Sequence, residues 1–205
     1  MGQGAWRDLA HGSSSTGYAK EEGRSHLEDQ LDRPLDQPVE FLNSTGQAST
    51  RSSWKSKSNP KNIDGSWKAT DPQAGLGWYN FNTETGEKLI GTCNLRRGIS
   101  PLQAELEALI WAMQCMLRHK KLTIVFQTDC SDVVKMVSKP EEWPAFATLL
   151  EEFCRCWTEF TSFSIVHIPR TKNTKADKLS RSARVLPTDV FYVNSVSPAW
   201  ISELV

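Results

Sequence analysis

The chain lacks any long hydrophobic run. Nowhere in its 205 residues is there a stretch near the roughly 18 consecutive apolar residues that a membrane-spanning helix needs. Residues 1–30 hold no apolar segment of the kind a secretory signal requires. Met1-Gly2 opens like a myristoylation signal, but Trp6 stands where that signal takes Ser or Thr. Cysteine is sparse, scattered and odd in number: Cys93, Cys115, Cys130, Cys154 and Cys156. That pattern excludes a disulfide framework and favours reduced thiols, so an intracellular protein of nucleus or cytoplasm, not a secreted one, is expected. Cys154-Arg155-Cys156 has no second pair to close a zinc site and reads as ordinary helix positions. An excess of charge is missing too. With 24 basic and 24 acidic residues the net charge is zero, so any attraction for nucleic acid must come from a local patch.

What is present divides the chain in three. Residues 1–60 are rich in Ser, Gly, Asn and Gln, with sparse apolar residues in no period, and read as a disordered leader. Residues 61–185 carry regular patterns and read as one domain, and residues 186–205 as a C-terminal tail. Within the domain, residues 61–67, 75–81 and 88–94 read as an antiparallel three-stranded meander with a turn at Thr83-Glu84-Thr85-Gly86. Ser100 is a helix N-cap, Pro101 suits the first helical position, and Gln103 completes a capping box. Leu102, Leu106, Leu109, Ile110, Met113 and Leu117 then form an apolar stripe at helical spacing. Residues 121–127 make an apolar, central strand, followed by a short helix near Ser131, a loop at 140–144, and a helix carrying Phe146, Leu149, Leu150, Phe153 and Trp157 on one face. A fifth strand at 163–168 and a last helix at 173–184 complete the order. The expectation is an α/β fold: a five-stranded mixed sheet, three antiparallel strands then two parallel, with helices on both faces.

Four acids sit where phosphodiester chemistry would want them. Two-metal cleavage brings several carboxylates to one point, with ions roughly 3.5–4 Å apart, and Mg²⁺ takes oxygen ligands. Asp64 lies in the first strand, where acids are depleted. Glu105 borders the apolar stripe of the first long helix, whereas Glu107 is about 200° further round and is expected to face water. Asp129 ends the central strand, where ligands gather in open α/β sheets. Asp177 falls in the first turns of the last helix. Each alone has an ordinary reading as a solvated acid or an N-cap; their joint order carries the weight.

The surrounding residues resemble a known family. Ile63-Asp64-Gly65-Ser66-Trp67 followed by Gly75-Leu76-Gly77-Trp78, the helix from Ser100 through Glu105 to Leu109, Gln127-Thr128-Asp129-Cys130, and the run from His167-Ile168-Pro169-Arg170 through Asn173 to Ala176-Asp177-Lys178-Leu179-Ser180 are similar to type 1 ribonuclease H domains. The variety is one common in plants and related to the ribonuclease H of non-LTR retroelements, and the match spans roughly residues 60–185. The resemblance implies an endonuclease acting on the RNA strand of an RNA–DNA hybrid, leaving 5′-phosphate and 3′-hydroxyl ends. It implies that Asp64, Glu105, Asp129 and Asp177 are metal ligands for two Mg²⁺ ions, with Mn²⁺ able to substitute. It also implies that the first and fourth strands are neighbours, which sets Asp64 beside Asp129. The helper His of cellular members is not in place: His167 precedes Pro169 and belongs to the fifth strand, with Arg170 in the loop instead.

A basic run, Arg170, Lys172, Lys175, Lys178, Arg181 and Arg184, suits a phosphate backbone or a solvated helix face. Arg170 and Lys175 are taken as substrate-binding. Ser66, Gln103 and Asn173 are taken as donors to the 2′-hydroxyls that distinguish RNA from DNA. Trp67 and Trp78 fit core packing better than base stacking. A monomer binding hybrid, with no membrane partner, is expected. The rival reading is a retroelement-derived module that binds RNA or hybrid without cutting. An exonuclease of related fold would need an acid-x-acid pair around Asp64, but positions 62 and 66 are Asn and Ser.

Overall fold

The structure, a computed structural model, describes residues 59–201 and the short strand Val39–Glu40. The remainder of the 1–60 leader, expected to be disordered, lies outside the described residues. In chain order the elements are β1 (Val39–Glu40), β2 (Lys61–Ser66), β3 (Gln73–Phe81), β4 (Lys88–Arg96), α1 (Pro101–Arg118), β5 (Thr123–Thr128), α2 (Ser131–Ser138), α3 (Ala147–Thr158), β6 (Ser162–His167), α4 (Thr174–Arg184) and β7 (Phe191–Asn194). Short 3₁₀ turns at Pro140–Glu142 and Pro144–Phe146 replace the expected loop before α3.

The sheet runs β1-β6-β5-β2-β3-β4-β7. Strands β2, β3 and β4 form the antiparallel meander, while β5 pairs in parallel with both β2 and β6. The expected five strands are corrected to six between residues 61 and 194, with the two-residue β1 added at the far edge. The sixth is β7, in the stretch read as tail. It pairs antiparallel with β4 from Ile90↔Asn194 to Cys93↔Phe191. Only four residues long and paired about a hundred residues upstream, it has too short a pattern to be read locally.

Local chemistry explains the framework. The Asn82 side chain accepts from the N–H groups of Glu84 and Thr85, and Gly86 takes the left-handed φ of 70° that closes the β3–β4 turn. The Ser100 hydroxyl accepts from the Gln103 N–H at the start of α1, and the Gln103 side chain reaches back to the N–H of Ile99. On one face of the sheet, Ile63, Leu76, Trp78, Phe126 and Phe163 pack against α1, α2 and α3 through Leu109, Met113, Val133, Val137, Leu150 and Phe153. On the other face α4 covers Tyr79 and Ile90 with Leu179, and Ile201 joins them. Trp78 is fully buried, as a core residue.

Two glycines set how close the helices come. A Cβ on Gly65 would stand 2.4 Å from the backbone of Ala104 in α1. One on Gly77 would stand 2.6 Å from the Ala176 carbonyl and the Ser180 nitrogen in α4. Both helices therefore rest directly on the sheet beside β2. Gly77→Ala should cost about 1–3 kcal/mol or more through overpacking against backbone. Urea denaturation checks this, with Gly86→Asn, which tolerates the left-handed conformation in open space, shifting the midpoint little.

Candidate metal centre

The acids converge where β2, β5, α1 and α4 meet. Asn62 of β2 pairs with Gln127 of β5 in parallel register, so two residues further on Asp64 lies level with Asp129. Asp64 is also the register partner of Gly77, the point where α4 touches the sheet. On the other side the close approach at Gly65 brings in α1, and the Gly65 N–H donates to Glu105 Oε2 at 3.0 Å. Carboxylate oxygens of Asp64, Glu105 and Asp129 all lie within 4.8 Å of one another.

Burial and mutual repulsion dominate the electrostatics. Asp64 is only 4% exposed. Desolvation pushes its pKa up to about 7, the negative charges of Asp129 and Asp177 push the same way, and the Ser180 hydrogen bond and Arg170 oppose them. Glu105 is held well above the ordinary glutamate range, first by desolvation and then by Asp64, with the Gly65 N–H opposing. The donor set is oxygen only, partly buried and short of positive charge. These are the terms on which a hard divalent cation is held, so the residues fit such an ion.

Asp177 stands apart from this trio. It is not within the 4.8 Å group. Its Oδ1 receives Arg170 Nη2 at 3.1 Å and Arg181 Nη2 at 2.9 Å. Arg170 also brings its Nε to 3.9 Å from Asp129 Oδ2. The fourth acid thus lies near the trio but is engaged by guanidinium groups.

The residues assigned to substrate fare unequally. Arg170 is exposed at the rim of the site, its guanidinium facing Asp129 and Asp177. Lys175, on the first turn of α4, holds its ammonium 4.7 Å over the Tyr79 ring and 3.3 Å from the phenol oxygen. Asn173 is fully buried, its side chain turned into the fold rather than toward solvent. Its Nδ2 donates to the Ile63 carbonyl at 2.8 Å and to Asp129 Oδ1 at 2.7 Å, and its Oδ1 accepts from Asn62. It ties β2, the end of β5 and the start of α4 together. Ser66 is buried as well. Gln103 is occupied by Ile99 and by Glu107, to which its Nε2 donates at 2.8 Å. Glu107 itself is half-buried, not facing water, because α3 packs beside α1 and encloses that side. His167 ends β6 as a strand residue. In the basic run, Arg184 pairs with Asp71, while Lys172 and Lys178 are exposed.

Sequence reasoning missed Ser180, whose hydroxyl lies within hydrogen-bond reach of both Asp64 Oδ2 and the Asp177 carbonyl, its single proton serving one of them at a time. The available signal was its place three residues after Asp177, on the same helix face.

The pH dependence of stability follows from Asp64. Its folded pKa of about 7 lies above the ordinary aspartate value of about 3.8, so the folded state holds the proton more tightly. Metal-free protein should therefore lose stability as pH climbs from about 4 to about 7, by a few kcal/mol at most. Thermal melts across that window check it, and Asp64→Asn should flatten the slope.

Residues 62–183 match the reverse transcriptase-like family. Among solved structures, ribonuclease H1 from the halophilic archaeon Halobacterium salinarum is 25% identical with a TM-score of 0.55, over 62% of this chain and 97% of that one. An RNase H1 isolated from compost, solved with an RNA/DNA hybrid, is 22% identical with a TM-score of 0.53, over 61% of this chain and 95% of that one. The protease–reverse transcriptase of prototype foamy virus is 16% identical with a TM-score of 0.55, over 72% of this chain but 23% of that one. No curated protein matches. The sheet order, the helices on both faces and the acid trio stand in a ribonuclease H-like fold, and the chain belongs to the reverse transcriptase-like family.

Proposed function

We propose that the protein is a ribonuclease H that cleaves the RNA strand of an RNA–DNA hybrid endonucleolytically, using two divalent ions. The observation that carries this is the convergence of Asp64, Glu105 and Asp129 within 4.8 Å in a largely buried site. Its surroundings add support through the exposed basic side chains of the segment leading into α4. The resemblance of the motifs favours the retroelement-related variety common in plants; that it acts as a monomer and inside the cell is part of the same proposal, the latter on its scattered, odd-numbered cysteines.

Asp64, Glu105 and Asp129 would hold the ions, with Asp177 joining them through Oδ2 once Arg170 yields, Arg181 staying on Oδ1. Bound there, Mg²⁺ or Mn²⁺ would supply Lewis-acid activation of a water and stabilisation of the leaving oxygen. The chain's own residues do the rest. Gly65 and Ser180 orient Glu105 and Asp64 through hydrogen bonds, and Asn173 fixes Asp129. Lys172 and Lys178 present positive charge to phosphates without reading sequence.

A second reading has one observation behind it. Arg170 and Arg181 already neutralise Asp177, and Arg170 reaches Asp129, which suits a module that binds hybrid without cutting.

The decisive assay offers labelled RNA–DNA hybrid, single-stranded RNA and duplex RNA with Mg²⁺, with Mn²⁺ or with chelator. Cleavage is expected for hybrid alone and only with metal. Asp64→Asn and Glu105→Gln should each lower the rate roughly 100-fold or more, since loss even of a ligand's supporting hydrogen bond costs about 10–100-fold. Hybrid binding without cleavage at high protein concentration would establish the second reading. Ser180→Ala should keep the fold and lose about 10-fold or more in rate, read as initial velocity at saturating hybrid.

A further inference from the structure

We propose that Arg170 is an internal counter-cation for the acid cluster: it gives up Asp129 to a divalent ion and turns to a phosphate of the hybrid. The inference rests on the ribonuclease reading and assigns this one side chain a definite part in it.

Its position makes the case. One guanidinium faces two of the site's carboxylates, with Nη2 3.1 Å from Asp177 Oδ1 and Nε 3.9 Å from Asp129 Oδ2. Asp129 also lies in the trio whose oxygens are within 4.8 Å, so Arg170 reaches into the volume a cation would share. Two positive charges a few ångströms apart repel, and the Oδ2 lone pairs cannot serve both fully. Arg170 and a divalent ion bound through Asp129 are therefore competitors.

Leaving is easy. The Arg170 side chain is 69% exposed, and an ion pair in such a setting contributes little. Its backbone stays where it is, because Asn173 N–H donates to the Arg170 carbonyl at 3.0 Å and the Asn173 side chain is locked in the core. The side chain can therefore rotate about a fixed anchor at the rim of the site. Asp177 is not stranded when this happens, since Arg181, one turn along α4, holds the same oxygen at 2.9 Å. A planar guanidinium released there suits a bidentate grip on phosphate.

Arg181 supplies the control. It carries the same charge and touches the same Oδ1 of Asp177, but among the described residues its ion pair is with Asp177 and not with Asp129. Calorimetric titration of Mn²⁺ into metal-free, full-length protein reads the competition directly. Arg170→Gln should bind Mn²⁺ about three- to fivefold more tightly than wild type, the loss of one exposed ion pair's worth of competition. Arg181→Gln should stay within about twofold. In hybrid cleavage, Arg170→Gln should raise KM severalfold with a smaller change in kcat, and circular dichroism should show both variants folded. Equal Mn²⁺ affinity in wild type and Arg170→Gln overturns the proposal. So does equal tightening in both variants, which would mean simple charge removal. Mn²⁺ binding that Asp64→Asn leaves untouched would instead remove the metal site itself, and this proposal with it.

Discussion

Three carboxylates pressed together out of water repel one another, and the rest of this structure is arranged to hold them there. Nothing in folding alone rewards the arrangement. Asp64 and Glu105 both resist ionising because they are desolvated and face each other's charge. The opposing forces are modest: an N–H from Gly65, a hydroxyl from Ser180, an amide from Asn173 and the partial reach of Arg170. A site that costs stability in the free protein is the usual mark of a site kept for function.

Helix packing provides the force that holds the acids in place. Glu105 reaches Gly65 because α1 lies against a residue without a Cβ, and Ser180 reaches Asp64 because α4 does the same at Gly77. Behind α1, the apolar residues of α2 and α3 close over Ile63, Phe126 and Phe163. Each helix thus brings a polar group to the same point from opposite faces of the sheet. The parallel pairing of β2 with β5 brings Asp129 in from the side. A shift of one residue in that register would turn Asp129 to the other face.

Much of this was legible in the chain itself. Capping at Ser100 and the stripe from Leu102 to Leu117 located α1 closely, and the apolar run before Asp129 located β5. Three of the four acids meet in one cluster; the fourth, Asp177, is near but bound to arginines. What could not be read was non-local. The burial of Asn173 depends on β2 and β5 arriving beside it, and the enclosure of Glu107 on α3 packing against α1. Polar residue types suggest surface contacts, but tertiary packing decides which of them reach it. The glycines Gly65 and Gly77 were visible as part of a motif, yet their purpose appears only once two helices are set against them.

The central claim is that this cluster of repelling acids is completed by divalent cations. Thermal unfolding of the full chain at pH 8, with and without millimolar Mn²⁺, tests it most directly, because an ion that binds the folded state must stabilise it. The account predicts a rise of several degrees in Tm for the wild-type protein that is abolished in both Asp64→Asn and Glu105→Gln. An unchanged Tm, or the same rise in all three proteins, would contradict it.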